Sequence, residues 1–435
     1  MNRTSLGAIA LGLGAILALS ACSGTSPAKP AAAATDGTGK TITVWVMQDD
    51  LTDATINAIN DAFTKKTGAS VNVELQQWDS INTKMTTSLA SSNSPDVVDL
   101  GNTDVPLFAA SGGLLDLTDQ REDLEQGQTW LAGLVKPAEV DGHLYAVPSF
   151  GSARAVIYNK KIWAAAGVTT VPTTYPELTA ALDKVKAANP SPDFSAFYLP
   201  GQNWYAGVPF VWDANGQIAE QKDSTWSGAF ETADSVKGLE EFKKFQNTYS
   251  SVASQTLFTK TPSQNQVFAD GQASAQLGSQ SFVKQALTLN PALTADDIGT
   301  FPFPGVSGKN QPAVILGSDW GVAAHSSNPD LATEWVKIAA SPEIQEKFIF
   351  GTDGWIPNSE EGIKKAEASG LSEDAKAFFT AALRSDSTPA SGGWATIEGD
   401  SSMQQFFQSV ATGSSSVKDA AKAFDEHLTT ALNKN

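Results

Sequence analysis

The chain has 435 residues, of which 29 are basic and 47 acidic, for a formal charge of −18, and 41% of it is hydrophobic. That length accommodates two domains of roughly 150 to 200 residues each, and the composition is that of an ordinary globular protein. So acidic a surface repels nucleic acid and anionic lipid headgroups, which excludes a polyanionic partner.

The N-terminus carries Arg3, an apolar run from Leu6 to Leu19, and then Leu19-Ser20-Ala21-Cys22. This order reads as a signal peptide over residues 1–21. The run is shorter than the roughly 20 apolar residues that span a bilayer, and no later segment reaches that length. The Leu-Ser-Ala-Cys tetrad resembles the bacterial lipobox, which implies that Cys22 becomes the lipidated first residue. Cys22 is also the only cysteine, so an intrachain disulfide and a thiolate zinc cluster are both excluded. Three scattered histidines (His143, His325, His427) offer no H-E-x-x-H arrangement, so neither a metal site nor a cofactor is expected. Ser23 to Lys40, rich in Ala, Thr, Gly, Ser and Pro, cannot bury a core, and residues 22–40 read as a lipidated flexible tether.

From there the pattern alternates. Thr41–Val46 is β-branched and alternating, a strand; Ile56, Ile59 and Phe63 fall at helical spacing within 55–67, closed by Gly68. Val71–Leu75 reads as a strand, Ile81–Leu89 as a helix and Asp96–Leu100 as a third strand. Alternation of this kind predicts an α/β fold with mostly parallel sheets flanked by helices, and ligands in such sheets sit beyond the carboxyl ends of the strands. That places Gln48, Asp49, Asp50, Trp78, Asp79, Asn102, Thr103 and Asp104 at candidate positions. Gly142–Pro148 reads as a hairpin leading to Arg154, and Ala155–Tyr158 starts a new strand, so a domain crossing is expected between them. Helical and strand patterns recur over 176–188, 235–249 and 267–286. The Pro/Gly-rich zone 301–312 precedes Ala313–Gly317, where a second crossing is expected, beside Ser318 and Asp319.

Several of these stretches together carry a family resemblance. "ITVWVM", "QQWDSINTKMTTSLASSNSPDVVDLGNTD", "DGHLYAVPSF", "VIYNKKIWAAAG", "YLPGQNWY", "FADGQASAQLG" and "LGSDWGVAA" resemble the extracellular solute-binding proteins of family 1, the carbohydrate receptors of ABC importers. Asn102–Asp104 and Tyr198–Tyr205 are particularly similar to actinobacterial receptors for N,N'-diacetylchitobiose. The resemblance implies a periplasmic-binding-protein-like clamp of two discontinuous lobes joined by a hinge. Residues 41–148 and 318–350 would form the first lobe, and 152–317 and 356–435 the second. It also implies an oligosaccharide ligand, importer transmembrane subunits as partners, a monomer, and attachment to the outer face of the cell membrane through Cys22.

A pyranose has an apolar face and an equator of hydroxyls, so its recognition calls for flat aromatic platforms with polar groups around them. Trp78, Trp204, Trp320 and Trp355 stand in turn-like surroundings and are candidate platforms, with Trp394 a weaker one between glycines and a turn. Gln202, Asn203, Ser318 and Asp319 flank these aromatics, and Arg154 either reaches a sugar oxygen or pins the crossing to a carboxylate. Many family members carry an aromatic after the strand that here reads Ala275–Gly278; Phe282 either replaces it or the subsite differs. The alternatives are a receptor of the same fold for a cello- or malto-type sugar or another small solute, and a secreted glycosidase. The latter needs two carboxylates about 5 to 10 Å apart, which composition alone does not exclude, but no catalytic motif such as G-x-S-x-G supports it.

Overall fold

The computed structural model describes residues 36–434; the signal peptide, Cys22 and the tether as far as residue 35 lie outside the described residues. Residues 37–40, which the sequence placed in the tether, lie against the body. Gly37 N–H donates to the Thr67 carbonyl at 2.8 Å and Lys40 N–H to that of Gly37 at 2.9 Å. A Cβ on Gly37 would lie 2.7 Å from that of Ala69, so the absence of a side chain is what lets this turn lie against the body.

Fourteen strands are found among the described residues: β1 (Thr41–Met47), β2 (Ser70–Gln76), β3 (Val97–Gly101), β4 (Glu139–Val140), β5 (His143–Leu144), β6 (Ala146–Ala153), β7 (Ala155–Asn159), β8 (Ala219–Lys222), β9 (Thr225–Gly228), β10 (Ala275–Gly278), β11 (Ile298–Phe301), β12 (Ala313–Val322), β13 (Ile356–Pro357) and β14 (Ser385–Asp386). The helix between β1 and β2, Asp53–Thr67, starts where Thr52 Oγ1 accepts the Thr55 N–H and stops at Gly68, whose φ of 75° and N–H bond to Thr64 form a left-handed cap. Ile56, Ile59 and Phe63 are its buried stripe. The expected hairpin lies slightly earlier than its sequence signal, as β4 and β5, turning on Asp141 and Gly142, both at positive φ, as a tight two-residue hairpin loop requires.

The larger sheet has the order β13-β6-β12-β3-β1-β2, with β14 also on β12. Parallel pairing is confined to β1 with β2, β1 with β3, and β12 with β14; β12 runs antiparallel to β3 and β6, and β13 to β6. The second sheet, β10-β7-β11, is antiparallel on both sides. Strand–helix alternation holds locally through the first three strands, whereas β12 returns through a long connection that leaves its direction free.

Three large buried clusters follow from this topology among the described residues. One gathers Ile42 to Phe150 with Trp320 to Ile349; a second gathers Val156 to Val314 with Trp394 to Leu432. β7 divides the second from a third: Val156 and Tyr158 face the second cluster, Ala155 and Ile157 face the third, with Ile298, Ile315 and Phe378, as the period of two in a strand dictates. β6 and β12 are the long strands that run from the first cluster to the others. A single residue, Arg154, separates β6 from β7.

Candidate functional site

The carboxyl ends of β1, β2 and β3 meet around Asp50. Its carboxylate accepts Ser318 Oγ–H at 2.8 Å and Trp78 Nε1–H at 3.3 Å, and its carbonyl accepts Trp355 Nε1–H at 2.7 Å. Trp78 is 43% exposed, and Gly101 makes room beside it, since a Cβ there would lie 3.6 Å from the Trp78 ring and 3.1 Å from the Asp104 carboxylate. Trp355 stacks on Phe150 at 4.7 Å between ring centroids. Behind Asp50 lie two fully buried carboxyls. Asp99 accepts the Met47 N–H at 3.0 Å, and neither oxygen of Asp319 has a hydrogen-bond partner among the described residues. Burial pushes Asp50 up to about 6, opposed by Ser318 and Trp78, and pushes Asp99 and Asp319 well above the usual carboxylate range, each raised further by a neighbouring aspartate.

The second group surrounds a cavity of about 250 Å³ lined by Arg154, Asn203, Trp204, Tyr205, Phe282 and Glu398, among others. Asn203 precedes the helix Trp204–Asp213 and makes no side-chain cap; its Oδ1 is buried without a partner, an acceptor that natural structures rarely leave unused. Tyr205 is sandwiched, with Trp204 stacked at 3.8 Å on one side and the Arg154 guanidinium 4.8 Å from its ring. Arg121 pairs with Glu125 and Glu139, and Arg384 with Asp213; Arg154 has no such ion pair among the described residues.

The two groups touch. Thr103, on the turn after β3, donates its hydroxyl to Glu398 Oε2 at 3.4 Å. Beside it Asp104 accepts Asn82 Nδ2–H at 2.9 Å and is held above its ordinary range by burial. Burial, with Asp104 adding to it, pushes Glu398 up to about 7. A neighbouring cavity of about 220 Å³ is lined by Ser152, Ser281, Lys284, Asp353 and Trp355. The helix Gln280–Leu289 contributes to both cavities, the end of β6 lines the smaller one, and Arg154, the next residue, lines the larger.

Not every sequence candidate reaches these cavities. Trp320, 1% exposed, packs edge-on against Trp335 in the first core, and Trp394, with no exposure, packs edge-on against Trp204; neither offers a ring face to a ligand. Asn102 is spent inside the fold: its Nδ2 donates to Gly133 O at 3.2 Å and Ile315 O at 3.4 Å, and its Oδ1 accepts the Gly317 N–H at 3.3 Å. Gln202 donates to Thr256 O and Gln408 Oε1, and Gln48 accepts from Gln77. Asp49 is an exposed turn residue at φ 69°. Trp78, Thr103, Asp104, Arg154, Asn203, Trp204, Phe282, Ser318 and Trp355 do stand around the two groups. Sequence reasoning pointed to Asp50 at the end of the first strand but missed Tyr205 and Glu398 at the second group. Tyr205 ends the "YLPGQNWY" stretch, and Glu398 lies four residues after Trp394, on the same face of one helix.

The family model of the bacterial extracellular solute-binding proteins matches residues 48–346. The diacetylchitobiose binding protein DasA of Streptomyces coelicolor is 34% identical over 424 residues, covering 97% of each chain. Among solved structures, the sugar-binding protein MalE from Xanthomonas citri matches with a TM-score of 0.76 at 22% identity, over 90% of this chain and 97% of that one. The cyclic alpha-maltosyl-1,6-maltose binding protein from Arthrobacter globiformis matches with 0.75 at 19% identity, over 91% and 99%. At such identities the solved structures speak for the fold alone, an α/β periplasmic-binding-protein clamp. The chain belongs to the bacterial extracellular solute-binding protein family.

Proposed function

We propose that the chain is an extracytoplasmic receptor that binds an oligosaccharide between the Asp50 and Arg154 groups and delivers it to an ABC import permease. One observation carries this reading. A single cavity joins an unused buried acceptor (Asn203 Oδ1), a cation without an ion pair (Arg154) and the aromatic rings of Trp204, Tyr205 and Phe282, the mixture that a sugar's hydroxyls and C–H faces call for. The kinship with DasA favours N,N'-diacetylchitobiose as the ligand. An acetamido carbonyl would accept from Arg154 while its methyl group packs on Phe282.

The cavity's volume of about 250 Å³ lies below the roughly 300 to 1,000 Å³ of ordinary ligand pockets. A disaccharide would therefore extend toward Trp78 or into the neighbouring cavity beside Trp355. The lobes of this reading are 41–148 with 318–350 and 152–317 with 356–435, a division that the partition of the first two cores supports. The protein acts as a monomer, with no catalytic step. Residues 1–21 direct export and lipid on Cys22 holds the mature chain at the membrane; no helix among the described residues is long and apolar enough to cross one.

The test is a thermal-shift and calorimetric screen of disaccharides, since a ligand that binds only the folded state raises its melting temperature by mass action. N,N'-diacetylchitobiose is expected to stabilise the protein, and to be recovered uncleaved by mass analysis. No shift with any sugar, or hydrolysis of the disaccharide, would overturn the reading.

A further inference from the structure

Glu398 lies on a short helix, Trp394–Gly399, that buries Trp394 and Ile397, while its own side chain lines the cavity with Arg154, Asn203, Tyr205 and Phe282. One carboxylate oxygen accepts from Thr103, and the Trp394 indole and the Thr103 hydroxyl both oppose the rise that burial imposes on it. No lysine or arginine forms an ion pair with Glu398 among the described residues, although Arg154 and Lys260 line the same space. Asp104, next to Thr103, opposes it with like charge, and Tyr205 senses both carboxyls. The helix Val417–Leu432 packs on the same short helix, with its nearest titratable groups occupied: Asp425 accepts the N–H groups of Phe230 and Glu231 at 2.9 and 2.8 Å, and His427 pairs with Asp400 at 2.9 Å. Two buried carboxyls that oppose each other do not ionise together readily.

We propose that Glu398 is a ligand-contacting residue that meets the sugar as a carboxylic acid, donating its proton to an acceptor oxygen of the ligand, so that binding takes up a proton from solvent. The inference rests on the receptor reading above. A ligand entering the cavity displaces water, which penalises the ionised form further, while an acid O–H gains a partner and the Thr103 hydroxyl keeps its own. Burial already raises the group to about 7 in the free protein, so the proton is at hand near neutrality. Because the complex holds the proton more tightly than the free protein, full affinity is present below pH 7. It is lost as pH rises above 7, by at most roughly tenfold per pH unit.

Calorimetric titration with N,N'-diacetylchitobiose, at about pH 5.5 and 8.5 and in buffers of different ionisation enthalpy, reads both quantities. The expected result is binding roughly tenfold weaker at the higher pH, with a buffer-dependent heat that reports proton uptake. Glu398→Gln, which keeps a donor and an acceptor in place, is expected to bind equally at both pH values with no buffer dependence. Wild-type binding that is flat with pH and takes up no proton overturns the proposal without touching the receptor reading. So does an unchanged pH slope in Glu398→Gln, which would move the proton to Asp104 or Asp50, or loss of all binding in a folded Glu398→Gln. No heat from any sugar overturns both. The wild-type proton count needs no variant, and so decides the matter even if Glu398→Gln melts early.

Discussion

Arg154 stands on a column of rings, with Tyr205 beneath it, Trp204 stacked under that and Trp394 edge-on at the base. Tyr205→Ala should free the guanidinium and weaken sugar binding by about 1 to 3 kcal/mol, whereas Tyr205→Phe keeps the stacking and most of the affinity; calorimetry on both variants checks the difference. Trp320→Ala should instead cost about 3 to 5 kcal/mol of stability in denaturant unfolding and leave affinity unchanged in the folded fraction, because the ring is core. The sequence showed that tryptophans cluster with Gly, Asn and Asp, but not which of them face a cavity. Exposure depends on what the rest of the chain places over a ring, as Trp335 does over Trp320, and no local signal carries that. A third expectation concerns the buried carboxyls. Asp50, at about 6, Asp99 and Asp319 are all raised in the folded state by burial. The stability they allow is fully present below their unfolded value near 4 and declines as pH rises through the folded values. Melting temperature should accordingly fall as pH rises from about 4 through 6 and beyond, and Asp319→Asn should flatten that fall.

The pairing of β6 with β12 is where the fold tolerates least. A Cβ on Gly317 would lie 2.0 Å from the Phe150 carbonyl, a backbone atom that no rotamer change can move. Gly317→Ala should therefore part the two strands and lower stability by about 1 to 3 kcal/mol or more, measured by denaturant unfolding. Gly399→Ala is the matched control, with nothing within 4 Å of the added carbon and an expected change of a few tenths of a kcal/mol. Asn102 fastens the same junction, tying Gly133, Ile315 and Gly317 through its amide. Helices and early strands were legible because their buried stripes and caps are local, as with Thr52, Phe63 and Gly68. The direction of β12 and the antiparallel second sheet were not, since pairing between strands far apart in sequence is settled by the tertiary fold. Asn102 was misread for the same reason: a polar residue at a strand end suits a ligand and a buried junction equally well.

At the scale of the molecule, a ligand touching both the Asp50 and the Arg154 groups binds a closed arrangement more tightly than an open one, and only that difference shifts the population. Small-angle scattering is expected to give a smaller radius of gyration on adding N,N'-diacetylchitobiose; an unchanged curve at calorimetric saturation would show that closure is not the response. On the proposed reading the first crossing runs up to Arg154, the one-residue link between β6 and β7, and the same residue lines the cavity. The fulcrum of the motion would then also be a grip on the cargo. A substitution there would change affinity and the ease of closing in one stroke, so that selection at that position could not adjust how tightly the receptor holds its solute without also adjusting how readily it lets go.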